Sequence, residues 1–412
     1  MQRVVCAVLL WLLAAPVVAA DIRADTDNYR DVLSSLNPGD RLLLEPGEYR
    51  RGLPLHNLSG RAGQPIVIEA ANPASPPRFI ARPGANTVSL LNVRHLVLRY
   101  LQIDGRNLPV DAVKAEGHSR YADFITLEYL HIHDHAASQQ NVGISTKCPA
   151  FGWVIRHNRI ERVGTGLYLG DSDGSDPFMG GVIEGNHIAA TLGYNLQIKH
   201  QHARPTDYPG RHDTVIRHNV FSKQDAVPGQ QARPNLLLGH FPLTGAGSED
   251  RYLVYGNLFL HNPSEALLQA EGRLALYDNV FINRSGDAIH IQPHNDVPRN
   301  MAIFSNTVLA SGTGIQVRQA EGAPYRQRIV ANVVSARLPI TGGESARNLT
   351  LPYRPELLDV AVPDLTPRLR ALGRPTRGFQ DDWARELAAY PDWSGGPSPG
   401  ASVASALLRV LP

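Results

Sequence analysis

An asparagine followed within two residues by a β-branched, leucine or aromatic side chain recurs along this chain from residue 158 to 332. It stands at Asn158, Asn186, Asn219, Asn257, Asn279, Asn306 and Asn332, spaced 28, 33, 38, 22, 27 and 26 residues apart. A period of that size means supersecondary units stacked on one another. Between the asparagines lie short alternating runs such as Leu167-Tyr168-Leu169, Leu196-Gln197-Ile198, Ile289-His290-Ile291 and Ile315-Gln316-Val317. Alternation of period two sends one face of each run into a core and the other outward. One such unit cannot bury its apolar face alone, whereas coils stacked about 4.8 Å apart form a continuous core of like residues. An Asn at each turn can take unusual dihedrals and bond its amide to the next coil, making a ladder. Earlier segments, residues 96–103 and 125–132, fit the pattern without the Asn. The reading is all-β: a single-stranded right-handed parallel β-helix over residues 40–345. A β-sandwich also has frequent turns, but it leaves the constant place of Asn between two strands unexplained.

A stack needs capped ends. Asp27 is placed to cap a short helix through Tyr29, Val32, Leu33 and Leu36, giving an N-terminal helical cap over residues 21–39. Residues 346–412 are Pro-rich and read as an irregular C-terminal wrap or tail, with one amphipathic stretch at 382–390 and expected disorder at 395–400. At the other end, Arg3, the apolar run from Val4 to Leu13 and the small residues Val18-Ala19-Ala20 before Asp21 have the form of a secretory signal peptide over residues 1–20. The expectation is export, to periplasm or medium, after cleavage near Ala20. No later stretch is apolar enough to span a membrane. Removal of the leader takes Cys6, which leaves Cys148 without a disulfide partner and reading as a structural thiol. Basic and acidic residues balance at 40 against 38, so nothing marks a nucleic-acid binder. A charged fraction of 19% with 43% apolar residues excludes a disordered chain. A monomer is expected.

The string Asn37-Pro38-Gly39-Asp40-Arg41-Leu42-Leu43-Leu44-Glu45-Pro46-Gly47-Glu48-Tyr49, followed by Gly63-Gln64-Pro65-Ile66-Val67-Ile68-Glu69-Ala70, resembles the opening of secreted pectin lyase-like β-helix proteins. That group includes pectate lyases, chondroitinase B and alginate lyases. The resemblance covers residues 35–340 and implies the fold. It also implies a carbohydrate-active enzyme, above all a polysaccharide lyase using Lys or Arg as base or acid, often beside Ca²⁺ held on carboxylates. The acidic quartet Asp-Pro-His-Asp of alginate epimerases is absent; the nearest string is Gln292-Pro293-His294-Asn295-Asp296.

The densest polar run is residues 194–204. With Leu196 and Ile198 inward, Asn195, Gln197 and Lys199 are expected outward in one row. Aligning neighbouring coils sets Gly170 below Lys199 and Gly239 above it, Asp171 beside His200 and His240, and Ser145 in the Lys199 column. The chain has four lysines against 36 arginines, so a lysine kept among glycines suggests an amine whose pKa can be tuned. β-Elimination on a uronate needs a base, a carboxylate neutraliser and a proton source. Lys199 is the candidate base and His200 the alternative. Arg204 or Arg211, from a wall at residues 203–213, or Arg217 beyond it, is expected as neutraliser or acid. Asn195, Gln197, Tyr168, Tyr208, His240, His290, Gln292 and Arg318 are candidate contacts to the glycan. Asp171, Asp173 and Asp176 form either an Asx-type turn or a Ca²⁺ site. The run His131-Ile132-His133-Asp134-His135 invites a metal but lacks a complete ligand set in sequence. Two other readings stand beside the lyase: a non-catalytic polysaccharide-binding β-helix, and a glycoside hydrolase using Asp171 and Asp173.

Overall fold

The computed structural model describes residues 19–225 and 232–358. Residues 1–18 of the expected leader and the stretches at 382–390 and 395–400 lie outside the described residues. Strands come three to a coil and pair only with their equivalents in the coils above and below, always in parallel. The first face is a 15-stranded sheet running from Asp21–Ala24 to Glu344–Ala346. The second and third faces register together as 21 strands, because Thr307–Val317 and Val333–Thr341 run round the corner between them. This is the right-handed parallel β-helix that the repeat predicts.

Registry builds the core. On the first face one inward column passes through Leu42, Ile68, Leu98, Leu127, Ile155 and Ile183 to Ile329 without any of these side chains touching solvent. On the second face Phe221, Phe259 and Phe281 stack with ring centroids 5.0 and 4.4 Å apart. Burying each such side chain stabilises by about 2 kcal/mol. Like residues recur because the site above a leucine has the volume and polarity of the leucine's own site.

The asparagine ladder is continuous. The amide nitrogen and Nδ2 of Asn158 both donate to Oδ1 of Asn186, at 3.0 and 2.9 Å, and Asn158 Nδ2 also donates to the Leu127 carbonyl. The same triplet repeats through Asn219, Asn257, Asn279, Asn306 and Asn332, and ends on Asn348, one rung beyond the sequence period. The left-handed backbone belongs to the residue before each Asn, as at His157 (φ 54°), His218 (φ 57°) and Asp278 (φ 51°), not to the Asn itself. Leu130 holds the equivalent place one coil earlier, its amide donating to Asn158 Oδ1 at 2.9 Å.

Two expectations at the amino-terminal end change. Strand pairing begins at Asp21, not near residue 40, because Asp21–Ala24 lies in register on Arg41–Leu44. The helix spans only Tyr29–Val32, continued by a 3₁₀ turn at Leu33–Ser35. Its entry is held by Asp25 rather than Asp27: the Asp25 carboxylate accepts the amides of Asp27 and Asn28. The segment still closes the end of the stack, with Tyr29, Leu33 and Leu36 packed into the core. Cys148 is buried, and burial pushes its thiol up to about 12, so it is an inert packing group.

Candidate functional site

The third face carries two outward columns that matter. The first passes through Ser89, Lys114, Ser145, Tyr168, Gln197, Leu237, Gln269, His290 and Gln316. The second lies two residues further along each coil, at the corner leading back to the first face. Lys199 sits there between two glycines. A Cβ on Gly170 would stand 3.2 Å from Lys199 Cβ, and one on Gly239 would meet the Lys199–His200 backbone at 2.4–2.9 Å. Only glycine allows the neighbouring coils to approach the lysine backbone this closely.

Ser145 belongs to the first column, opposite Tyr168, and not to the Lys199 column. Continuing that register places Lys147 opposite Gly170. Three of the chain's four lysines (Lys114, Lys147 and Lys199) therefore share this flank. The scarcity of lysine was the signal that could have found Lys114 and Lys147. Lys147 Nζ lies 3.5 Å from the centroid of the Tyr168 ring, a cation–π contact. Burial, helped by the like charge of Lys114, pulls the Lys147 amine down to about 8. Burial lowers Lys199 as well, against the opposing pull of Asp171 and Glu271. Burial raises the Tyr168 phenol, which stays protonated and is 3.2 Å from Ser172 Oγ.

The other expected site residues divide. Gln197 takes its place in the row, nearly buried. Asn195 does not: it precedes the strand Leu196–Ile198, turns inward and donates to Ile188 O, Thr191 Oγ1 and Ser222 O at 3.1–3.3 Å. It is a structural residue, next to a second amide pair in which Asn262 donates to Asn235. The His200 ring packs at a tilt against His240 at 5.3 Å and His202 at 5.1 Å between centroids. Burial, then the charge of Lys199 and the two histidines, drives His200 down to about 4; it is neutral and a poor base at neutral pH. His240 is buried against the Phe241 carbonyl. His290 is held by Asp287 at 2.8 Å, beside half-buried Gln292, and Arg318 is exposed one coil on.

The arginines expected near Lys199 are committed elsewhere. Arg204 is fully buried in an ion pair with Asp250. Arg211 bonds Asp213 at 2.7–2.9 Å. Arg217 projects from the first face onto Glu184 and the Tyr255 hydroxyl. The insertion at 203–213 leans on the leading edge of the first face: Tyr208 donates to Asp123 at 2.9 Å and packs on Phe151.

Asp171 makes an Asx-type turn. Its Oδ1 accepts the amides of Gly174 and Asp176 at 3.0 and 3.1 Å, and its Oδ2 accepts the Ser175 hydroxyl at 3.0 Å. The ligand atoms of Asp171, Asp173 and Asp176 are not among those that converge within 4.8 Å. Among the described residues the one group whose ligand atoms converge within 4.8 Å is Asp104, His133 and Asp134. Arg78 pairs with Asp104 and Arg162 with Asp134, so cations already neutralise both carboxylates. His131 bonds Glu161, and His135 is buried on the Val110 carbonyl.

Coils of three parallel strands around a filled core, with an asparagine ladder at one corner, define a right-handed parallel β-helix of the pectin lyase type. No protein-family model matches the chain, and no curated protein matches it by sequence. Solved structures are similar to it in fold. A GH136 lacto-N-biosidase from Eubacterium ramulus is 13% identical with a TM-score of 0.53, over 81% of this chain and 68% of that one. The A-module of the mannuronan C-5 epimerase AlgE6 from Azotobacter vinelandii is 16% identical with a TM-score of 0.50, over 77% and 92%. At such identities the likeness is one of fold. Among the described residues no helix is long and apolar enough to cross a membrane.

Proposed function

We propose that this chain is a carbohydrate-active β-helix protein, a polysaccharide lyase that cleaves a uronate-containing glycan by β-elimination along its third face. The carrying observation is the pair of amines, Lys147 and Lys199, set either side of a glycine gap and both made less basic by burial. Neutral Lys147 takes the proton α to the uronate carboxylate. The Lys199 ammonium offsets the charge that builds on that carboxylate. The electron pair left on the α carbon forms the new double bond as the bond to the glycosidic oxygen breaks. The Tyr168 hydroxyl donates the proton that the leaving oxygen needs. An acidic glycan suits the row of lysines, and AlgE6, by its name, acts on mannuronan.

The test is the absorbance of unsaturated uronate on mixing the protein with alginate, pectate and glycosaminoglycans. Activity should rise with pH through about 8, as Lys147 loses its proton. Lys147→Ala and Lys199→Ala should each lower the rate at least about a hundredfold, the usual contribution of a positioned base or charge stabiliser. New reducing ends without that absorbance mean hydrolysis, and binding without cleavage means a non-catalytic role; either result overturns the lyase.

A further inference from the structure

At the amino-terminal end of the same flank lies a cavity of about 420 Å³ that the lysine site does not use. Arg30 reaches it from the cap helix, Arg51 from the turn between Glu48–Tyr49 and Leu53–His56, and Arg82 from the loop between Arg78–Ile80 and Val88–Leu91. The three guanidinium groups converge. Each bears on the Tyr29 phenol, which donates to the Gly52 carbonyl at 2.7 Å, and a Cβ on Gly52 would stand 3.6 Å from Arg82 Nε. Arg30 donates to the Arg51 carbonyl at 3.2 Å. Among the described residues no carboxylate pairs with any of the three, whereas nearby Arg23, Arg41, Arg50 and Arg78 each have one. Glu116, the single carboxylate in the lining, accepts the Asn86 amide at 3.0 Å. The cavity thus has an excess of planar, permanently charged donors and no internal counter-charge equal to them.

Such a set suits an oxyanion, which two or three guanidinium forks can hold by parallel hydrogen bonds. Pro54 and Ser89, both in the lining, stand at the start of the outward column that continues through Lys114, Ser145 and Tyr168 to Gln197. At about 4.8 Å per coil the cavity lies about 10 Å before the coil of Lys147 and about 19 Å before that of Lys199. We infer that Arg30, Arg51 and Arg82 form an anion subsite for a glycan, gripping a carboxylate or sulfate ester several sugars from the lysine pair. The inference rests on the third face being the glycan track, and it adds a chain-length requirement that the lysine site alone does not have.

The experiment is calorimetric binding of size-defined oligosaccharides, uronate and sulfated, of three and eight sugars, in a Lys147→Met background so that turnover does not intrude. The Arg51→Gln/Arg82→Gln pair, both exposed positions, should weaken the eight-sugar chain about tenfold and leave the three-sugar chain unchanged. The arm that shows the loss identifies carboxylate or sulfate as the group held. Equal eight-sugar affinity within twofold, or equal loss for both lengths, overturns the subsite. Binding of neither series also overturns it. Product formation by the unsubstituted protein is read separately, so the lyase reading can fail while the subsite holds, or the reverse.

Discussion

One outward column on the first face is built in two ways. Its amino-terminal half alternates charge, from Glu69 through Arg99, Glu128, Arg156 and Glu184 to Arg217. Ion pairs of 2.6–3.3 Å link Arg99 to Glu69 and Glu128, and Arg156 to Glu128. Its carboxyl-terminal half is aromatic: Tyr255, Tyr277 and Phe304 stack with centroids 4.8 and 4.9 Å apart. Arg217 joins the two, bonding Glu184 on one side and the Tyr255 hydroxyl at 3.0 Å on the other. The coil spacing makes each residue a neighbour of its own equivalent, so a column must alternate in sign or repeat in kind. The charged half stays partly wet, with the Arg156 side chain 45% exposed, while Tyr277 and Phe304 are covered although they point outward. Inside, the halves differ again: leucine fills the corner at Leu101 and Leu130, and asparagine takes over from Asn158 onward.

The largest way to break this contrast is Asn257→Leu. It makes the asparagine half resemble the leucine half at one rung, but strands the backbone N–H of Asn219 and the carbonyl of Ile216 in a dry interior, while Asn219 Nδ2 keeps the carbonyls of Ile183 and Arg217. Leaving each of these two groups unpaired costs about 1–3 kcal/mol, so a loss of about 4 kcal/mol is expected, read from the urea midpoint. Tyr277→Ala, which interrupts the aromatic stack between its two neighbours, should cost about 3 kcal/mol by the same measurement. The smallest effect separates the halves by acid. Burial alone would raise the Glu69 carboxyl, but hydrogen bonds from Arg99 and Arg41 outweigh it and hold the group below the usual carboxylate range. A depressed carboxyl stabilises fully above its unfolded value and loses that contribution as pH falls through the folded one. Hydrogen exchange should therefore quicken first in the charged half as pH falls below about 4.5, the ordinary glutamate value, with the aromatic half unchanged.

The fold was legible because stacking repeats its own demands. Leu196 and Ile198 could be matched to Leu167 and Leu169 by inspection, which correctly placed the glycines around Lys199. The same method slipped at Val142–Thr146, a strand with three inward residues, where choosing the wrong inward pair hid Lys147 behind Ser145. Alternation also failed at Asn195, which lies before its three-residue strand begins. The arginines were beyond reach for another reason. Arg204 finds Asp250 and Tyr208 finds Asp123 through loops that carry no period, so nothing in the sequence spacing announces the partner.

From residues 100–101 onward, the corner that carries the asparagines allows two residues between strands at every described coil, as at His157-Asn158 and Asp278-Asn279. The corner after the third face obeys no such limit: residues 199–213 fill it in one coil and 271–273 in another. Lys199 is the first residue of the longest of these excursions among the described coils. Natural variation or an engineer can thus lengthen, shorten or swap the segments that border the amines while the metronome of the opposite corner keeps every other level in time.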